Sequence, residues 1–366
     1  MRPVVGVAGL LLVAAVLFEA FETIVLPQRV GRRWRITEGV YAVTWPAYRA
    51  AATAVRDSPR RERILSYYGP GSLLFTITLW FTTIILGYAL ALWAFAHDLG
   101  GHVPSFGDAV YIAASMLFTL GLTDVVPHGT GARMLAIAAG GTGFATLALL
   151  VAYLPTLYQA FSRRETYISQ LDARAGSPPS AGELLARNTS EGSDDLAPFL
   201  LAWEGWSADL LESLLSFPTL GFYRSHHDNQ SWLAALTAVL DTCSVVLVSE
   251  QRRAHRQAKL TYAMCRHAAV DLARALHAPP ADDLDRLDAL AFARLRTRLA
   301  GSEWHLPDDA ASKLARLRSG YESYVLGLSR RLLMPLPDWT APEGAQDSWQ
   351  LAQAAEPPRR SARRAR

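Results

Sequence analysis

Few residues in this chain are placed to make or break bonds. Its 366 residues contain no nucleophile elbow, zinc-protease signature or phosphate-binding loop. His226, His227 and Asp228 carry ligand atoms, but they are adjacent rather than spaced along one helix face, and they read as a surface loop. Cys243 and Cys265 give neither a disulfide framework nor a zinc spacing and read as reduced thiols. Glu19 and Glu22 share one helix face inside an apolar run, where ionisable groups are costly. They sit near its end, close to Arg29 and Arg32, so pairing at the interface is the simpler reading and a direct role in an ion path the other. No catalytic constellation emerges, so neither an enzyme nor a cofactor is expected. The remaining candidate is a turn, Thr119-Leu120-Gly121-Leu122-Thr123-Asp124, and its meaning depends on what flanks it.

What flanks it is apolar. The composition is 51% hydrophobic and 19% charged, with a mean hydropathy of +0.12. That average hides a split between an apolar first half and a charge-rich second half. A helix needs about 20 apolar residues to cross a bilayer core. Three stretches qualify, 3–26, 71–96 and 134–162, while 106–118 is too short to span and reads as re-entrant. Arginines crowd the loop between the first two spans, from Arg29 to Arg63, whereas 97–132 contains no lysine or arginine. The positive-inside pattern therefore predicts an external N-terminus, an external short segment and a cytoplasmic second half, in a multi-pass protein of the plasma (inner) membrane. Reading the first stretch as a cleaved signal peptide would leave those arginines outside, so it is read as a span. Trp34, Tyr41, Trp45 and Tyr48 alternate with arginine, which predicts one or two interfacial helices broken near Pro46.

The order span, short helix, turn, span gives the motif a specific setting. Residues 70–163 resemble the potassium-channel pore family, which places T-V-G-Y-G-D between a pore helix and an inner helix. Thr119, Gly121 and Asp124 match the first, third and sixth positions; Leu120 stands for the valine, Leu122 for the aromatic and Thr123 for the second glycine. The resemblance implies a selectivity filter in which four copies of the strand present rings of backbone carbonyls that replace a cation's water shell. Thr119 to Leu122 would coordinate, with a hydroxyl ring from Thr119 at the inner end. Gly121 would permit a positive φ. The side chains of Leu120 and Leu122 would pack behind the filter, and Asp124 would gather cations at the outer mouth. The short helix would aim its negative end at the ion. A threonine held at positive φ at Thr123 would cost about 1–2 kcal/mol relative to glycine. Gly140, Gly141 and Gly143 lie in the third span, either as a hinge or as packing contacts, and Pro155 either kinks that helix at a gate or ends it.

One hairpin cannot satisfy filter backbone at membrane depth, so a homo-oligomer, a tetramer, is expected. The fold class expected is an all-α membrane protein: three transmembrane helices, a re-entrant pore helix and filter, and an α-helical cytoplasmic domain. The segments are 1–69 (first span and basic loop), 70–163 (pore domain), 164–198 (linker), 199–340 (helical domain) and 341–366 (basic disordered tail). Helices are expected over 200–215, 232–250, 260–276, 283–299 and 308–333. The partners expected are K⁺ as the transported ion and membrane lipids, with no nucleic acid and no bound metal. The function expected is passive conduction of potassium or another monovalent cation. A membrane-anchored sensor or scaffold with a degenerate pore is the alternative.

Overall fold

In the computed structural model the described residues are 2–24, 36–95, 99, 105–122, 127–188, 195–226, 229–342 and 347. Among them the fold is all-α, with no strand; Leu99 and Pro127 pair only as an isolated antiparallel bridge. The chain divides into two compact units, Met1–Gln159 and Ala160–Arg366.

The first unit holds α1 (Arg2–Ile24), α2 (Ile36–Thr53), α3 (Ser58–Ala94), α4 (Phe106–Leu117) and most of α5 (Thr130–Ala175). α1, α3 and α5 are each long and apolar enough to cross a membrane. α3 and α5 outrun the expected spans: at 1.5 Å per residue they measure about 55 and 69 Å, against a hydrocarbon core of about 30 Å. α1 lies against α3 through small residues. A Cβ on Gly87 would come within 2.6 Å of Val13 Cγ2 and 2.7 Å of the Gly9 carbonyl. Around that seam Val13, Val16, Trp80, Ile84 and Leu92 join Ile112 and Leu117 of α4 and Ala139 of α5 in one apolar core. Lipid offers no hydrophobic drive between helices, so close approach over small side chains is what holds such a pair.

Glu19 has a structural task. Its Oε1 accepts from the backbone N–H of Thr37 at 2.6 Å and from Thr37 Oγ1 at 2.8 Å, a carboxylate at the start of α2 where the helix dipole favours it. Arg29, Arg32 and Trp34 lie outside the described residues. α2 runs unbroken through Pro46, contrary to the expected break. Proline inside a helix forfeits a hydrogen bond, and tertiary packing offsets the loss. Trp45 is fully buried with its ring 4.7 Å from that of Tyr68, the Tyr48 ring lies 5.0 Å from that of Tyr68 and tilted 50° to it, and Tyr48 Oη donates to the Ile64 carbonyl at 2.7 Å.

The second unit continues α5 and adds α6 (Ala181–Arg187), α7 (Leu196–Ser216), a 3₁₀ turn at Pro218–Phe222, α8 (Trp232–Val248), α9 (His255–Ala275), α10 (Ala289–Leu299), α11 (Ala310–Arg318) and α12 (Glu322–Leu332). α8 is apolar nearly all round, which suits a helix enclosed on every side; α6, α9, α11 and α12 enclose it. Within this unit the end of α5 is fastened by Arg164. That buried side chain donates to the carbonyls of Leu220 at 2.8 Å and Tyr223 at 3.2 Å, and it pairs with Glu165 at 3.0 Å.

The stretch expected as a linker, 164–198, is largely ordered. α5 continues to Ala175, and α6 is buried with Glu183 bridging Arg298 at 2.7 Å and Arg187 at 3.4 Å. The hydrogen bond and charge of Arg298 hold the Glu183 carboxyl below its usual pKa, against the opposing effect of burial. The helix expected over 308–333 is two helices. Between them Tyr321 turns inward, and its hydroxyl donates to Asp241 Oδ1 at 2.6 Å. The helix expected from 283 begins only at Ala289, N-capped by Asp288, because Arg286 is drawn into a buried charge cluster. Its guanidinium donates to both oxygens of Asp241 at 3.0 Å and both of Glu322 at 2.7 and 3.1 Å. Burial opposes the Arg286 charge, but Asp241 and Glu322 outweigh it and raise its pKa. Cys243 and Cys265 are free and buried, and burial lifts both thiols, Cys265 to about 12. The basic tail from Arg359 to Arg366 lies outside the described residues.

Candidate functional site

The candidate filter begins with how α4 starts and stops. Ser105 and Asp108 form a capping box: Asp108 N–H donates to Ser105 Oγ at 3.2 Å and Ser105 N–H to Asp108 Oδ2 at 2.7 Å. At the other end Thr119 N–H donates to Met116 O at 3.0 Å and Leu120 N–H to Ser115 O at 2.9 Å. That crossed pair is a Schellman closure, which needs a left-handed residue just past the helix. Thr119 fills the place glycine usually takes, at φ 56°. Its Oγ1 donates to the Phe118 carbonyl at 2.7 Å. The helix thus ends with its last carbonyls largely engaged, and the chain turns sharply into the candidate filter.

Gly121 has φ +65°, and a Cβ there would meet nothing within 4 Å. Its need for glycine is conformational rather than spatial. The Leu122 carbonyl accepts from Ser115 Oγ at 2.8 Å. On the single chain Leu120 is 60% and Leu122 63% exposed. Thr123 and Asp124, the last two residues of the motif, lie outside the described residues.

The glycines of α5 differ in setting. A Cβ on Gly143 would collide with the Leu117 carbonyl, so the end of α4 sits directly on α5 at this residue. Gly140 faces the Met116 carbonyl, 3.5 Å from where its Cβ would be, whereas Gly141 has open space. One residue from Gly143, Thr142 Oγ1 and Tyr88 Oη hydrogen-bond at 2.7 Å, tying α5 to α3. Pro155 lies within α5, which continues past it to Ala175. Ile137, Phe144, Val151 and Tyr158 recur every seventh residue as an exposed stripe of α5, with Leu147 and Leu154 between them.

Among the described residues no group of three His, Cys, Asp or Glu is placed to hold a metal ion. His226 packs edge-on to Phe161 at 5.1 Å; His227 and Asp228 lie outside the described residues. The sequence reading missed Ser115, the Schellman role of Thr119 and the Gly143–Leu117 contact. The left-handed residue after an apolar helix was the available signal, masked because threonine rather than glycine occupies it.

Residues 73–160 match the family model described as ion channel, which begins inside α3 and takes in α4, the turn and the apolar length of α5. The chain is also similar to a protein of Bacillus subtilis (strain 168) called uncharacterized membrane protein YdjJ, with 26% identity over 242 residues, covering 64% of this chain and 67% of the other. No solved structure matches.

Proposed function

We propose that the chain, whose residues 73–160 match an ion-channel family model, is one subunit of a passive monovalent-cation channel, selective for K⁺, with four chains around one pore. Thr119 to Leu122 supply the ion's ligands, Asp124 lines the outer mouth, and α5 is the inner helix. The observation that carries this reading is the family match falling on a capped short helix, a glycine at φ +65° and an apolar helix packed on the end of the first. The aligned peptide dipoles of α4 still direct their negative end at the turn, which favours a cation there even with most of the last carbonyls hydrogen-bonded.

Two features support an assembly. Filter backbone at membrane depth must be buried in protein or line water, and one hairpin encloses neither. The seven-residue apolar stripe of α5 has the period of left-handed helix pairing. The protein lies in the plasma membrane with its N-terminus outside and its second unit in the cytoplasm. That orientation puts the arginine-rich 29–63 inside and the turn in a loop without lysine or arginine. K⁺ efflux from liposomes, with the mass of the detergent-solubilised complex, tests the reading. Efflux and a four-copy mass are expected; a monomer without efflux contradicts it.

A further inference from the structure

The surface of the second unit carries two patches of opposite charge, each built around exposed leucine. Arg252 and Arg253 in the turn before α9, and Arg256 and Lys259 in its first two turns, are all exposed, and among the described residues none of their side chains has an acidic partner. Leu260, 47% exposed, lies beside them. A helix N-terminus carries partial positive charge and favours acids. α9 has no acid in its first turn and no side-chain cap from Ala254, so these cations add to the helix's own positive end. The second patch is the stretch between α9 and α10. Asp282, Asp283, Asp285 and Asp288 are exposed there, with Leu284 among them 56% exposed and Leu290, at the start of α10, 60%. The one arginine of that stretch, Arg286, is turned inward to Asp241 and Glu322 and does not offset them at the surface. Asp283 pairs with Arg330 and Asp285 with Arg318, yet the two carboxylates stay 59% and 63% exposed.

We propose that the two patches are the two halves of one contact between copies of this chain: the basic end of α9 on one second unit seats on the aspartate stretch of the next. The inference rests on the proposed assembly of four chains and adds to it a head-to-tail interface outside the ion-channel segment. On one chain the patches lie on different sides of α12. Arg331 of α12 donates to the Leu276 carbonyl at the end of α9 at 3.3 Å. Ser323 and Arg330 of α12 hold the aspartate stretch, Ser323 through its carbonyl, which accepts from Ala281 N–H at 2.9 Å. A chain therefore presents the patches to different neighbours. A contact between unlike patches is heterologous, and it closes into a ring when the rotation allows. Exposed leucine within charge has the anatomy of an interface, an apolar centre with a polar rim, and complementary charge sets partner and register. A polyanion such as a lipid surface would use the basic patch alone and leave the aspartate stretch without a role.

The test uses the full-length chain in detergent with Leu260→Cys and Leu284→Cys, singly and together, and a short bifunctional maleimide. Both leucines are exposed, and the native Cys243 and Cys265 are buried, so the new thiols are the ones that react. The double variant is expected to give a ladder of linked chains ending at four on a denaturing gel, and each single variant to stay unlinked. Adding Arg256→Glu and Lys259→Glu sets like charges against each other and is expected to cut linking by roughly ten-fold. Adding Asp282→Lys and Asp283→Lys to that protein is expected to restore it. Linking in a single variant overturns the head-to-tail contact in favour of a like-on-like pair, and a ladder running past four overturns the ring. Linking that the first reversal leaves unchanged, or that the second does not restore, overturns the charge pairing. A four-copy mass without links in the double variant overturns the interface and leaves the assembly standing, whereas a monomer mass overturns the assembly and the interface with it.

Discussion

Thr119 is where the chain accepts a local cost. A left-handed conformation costs an L-residue with a side chain about 1–2 kcal/mol more than glycine, and Thr119 holds φ 56° at the end of α4. Its hydroxyl bond to Phe118 offsets part of that. Thr119→Gly is therefore expected to stabilise the first unit by about 1 kcal/mol in a detergent thermal melt, while removing the hydroxyl that the filter reading assigns to the ion. A lower melting temperature would show that threonine is favoured here for reasons other than backbone shape. Gly121 is the converse. At φ +65° an alanine is strained although nothing crowds it, so substitution there acts on the backbone of the turn alone.

At the scale of elements the decisive contact is between α4 and α5. A Cβ at Gly143 would run into the Leu117 carbonyl, so Gly143→Ala must push the helices apart. Overpacking of this kind typically costs about 1–3 kcal/mol. The expected result is a lower melting temperature and weakened K⁺ flux, whereas Gly141→Ala, which meets open space, should leave both near wild type. The three spans and the short helix were legible in the sequence because length, hydropathy and arginine placement each report on the bilayer. The second unit was legible only as helices. Its breaks at 283–288 and around Tyr321 follow from where Arg286 and Tyr321 find buried partners, and no local periodicity encodes that. Pro46 misled for the related reason that burial of Trp45 against Tyr68 outweighs a proline's local preference. In the site, the motif's position and the positive φ at Gly121 were readable; the Ser115–Leu122 bond depends on a seven-residue return that spacing does not announce.

At the scale of the whole molecule the two units are held by different physics. The first relies on apolar packing over small residues, the second on an enclosed helix and buried charge. Asp241 and Glu322 share Arg286, and Asp241 also accepts from Tyr321. Arg286→Met leaves two carboxylates beside each other in the interior. Breaking one side of such a pair typically costs about 3–5 kcal/mol, so this variant is expected to unfold the second unit at markedly lower denaturant. A melt equal to wild type would mean the cluster is not holding the unit together. The central claim is that residues 73–160 form a pore for K⁺. Its most direct test is flux from liposomes holding the purified full-length chain, comparing a K⁺ gradient with a Na⁺ gradient and wild type with Gly121→Ala. The account predicts K⁺ flux well above Na⁺ flux in wild type and loss of both in Gly121→Ala. Equal K⁺ and Na⁺ flux would contradict potassium selectivity, and no flux of either ion from wild type would contradict the pore.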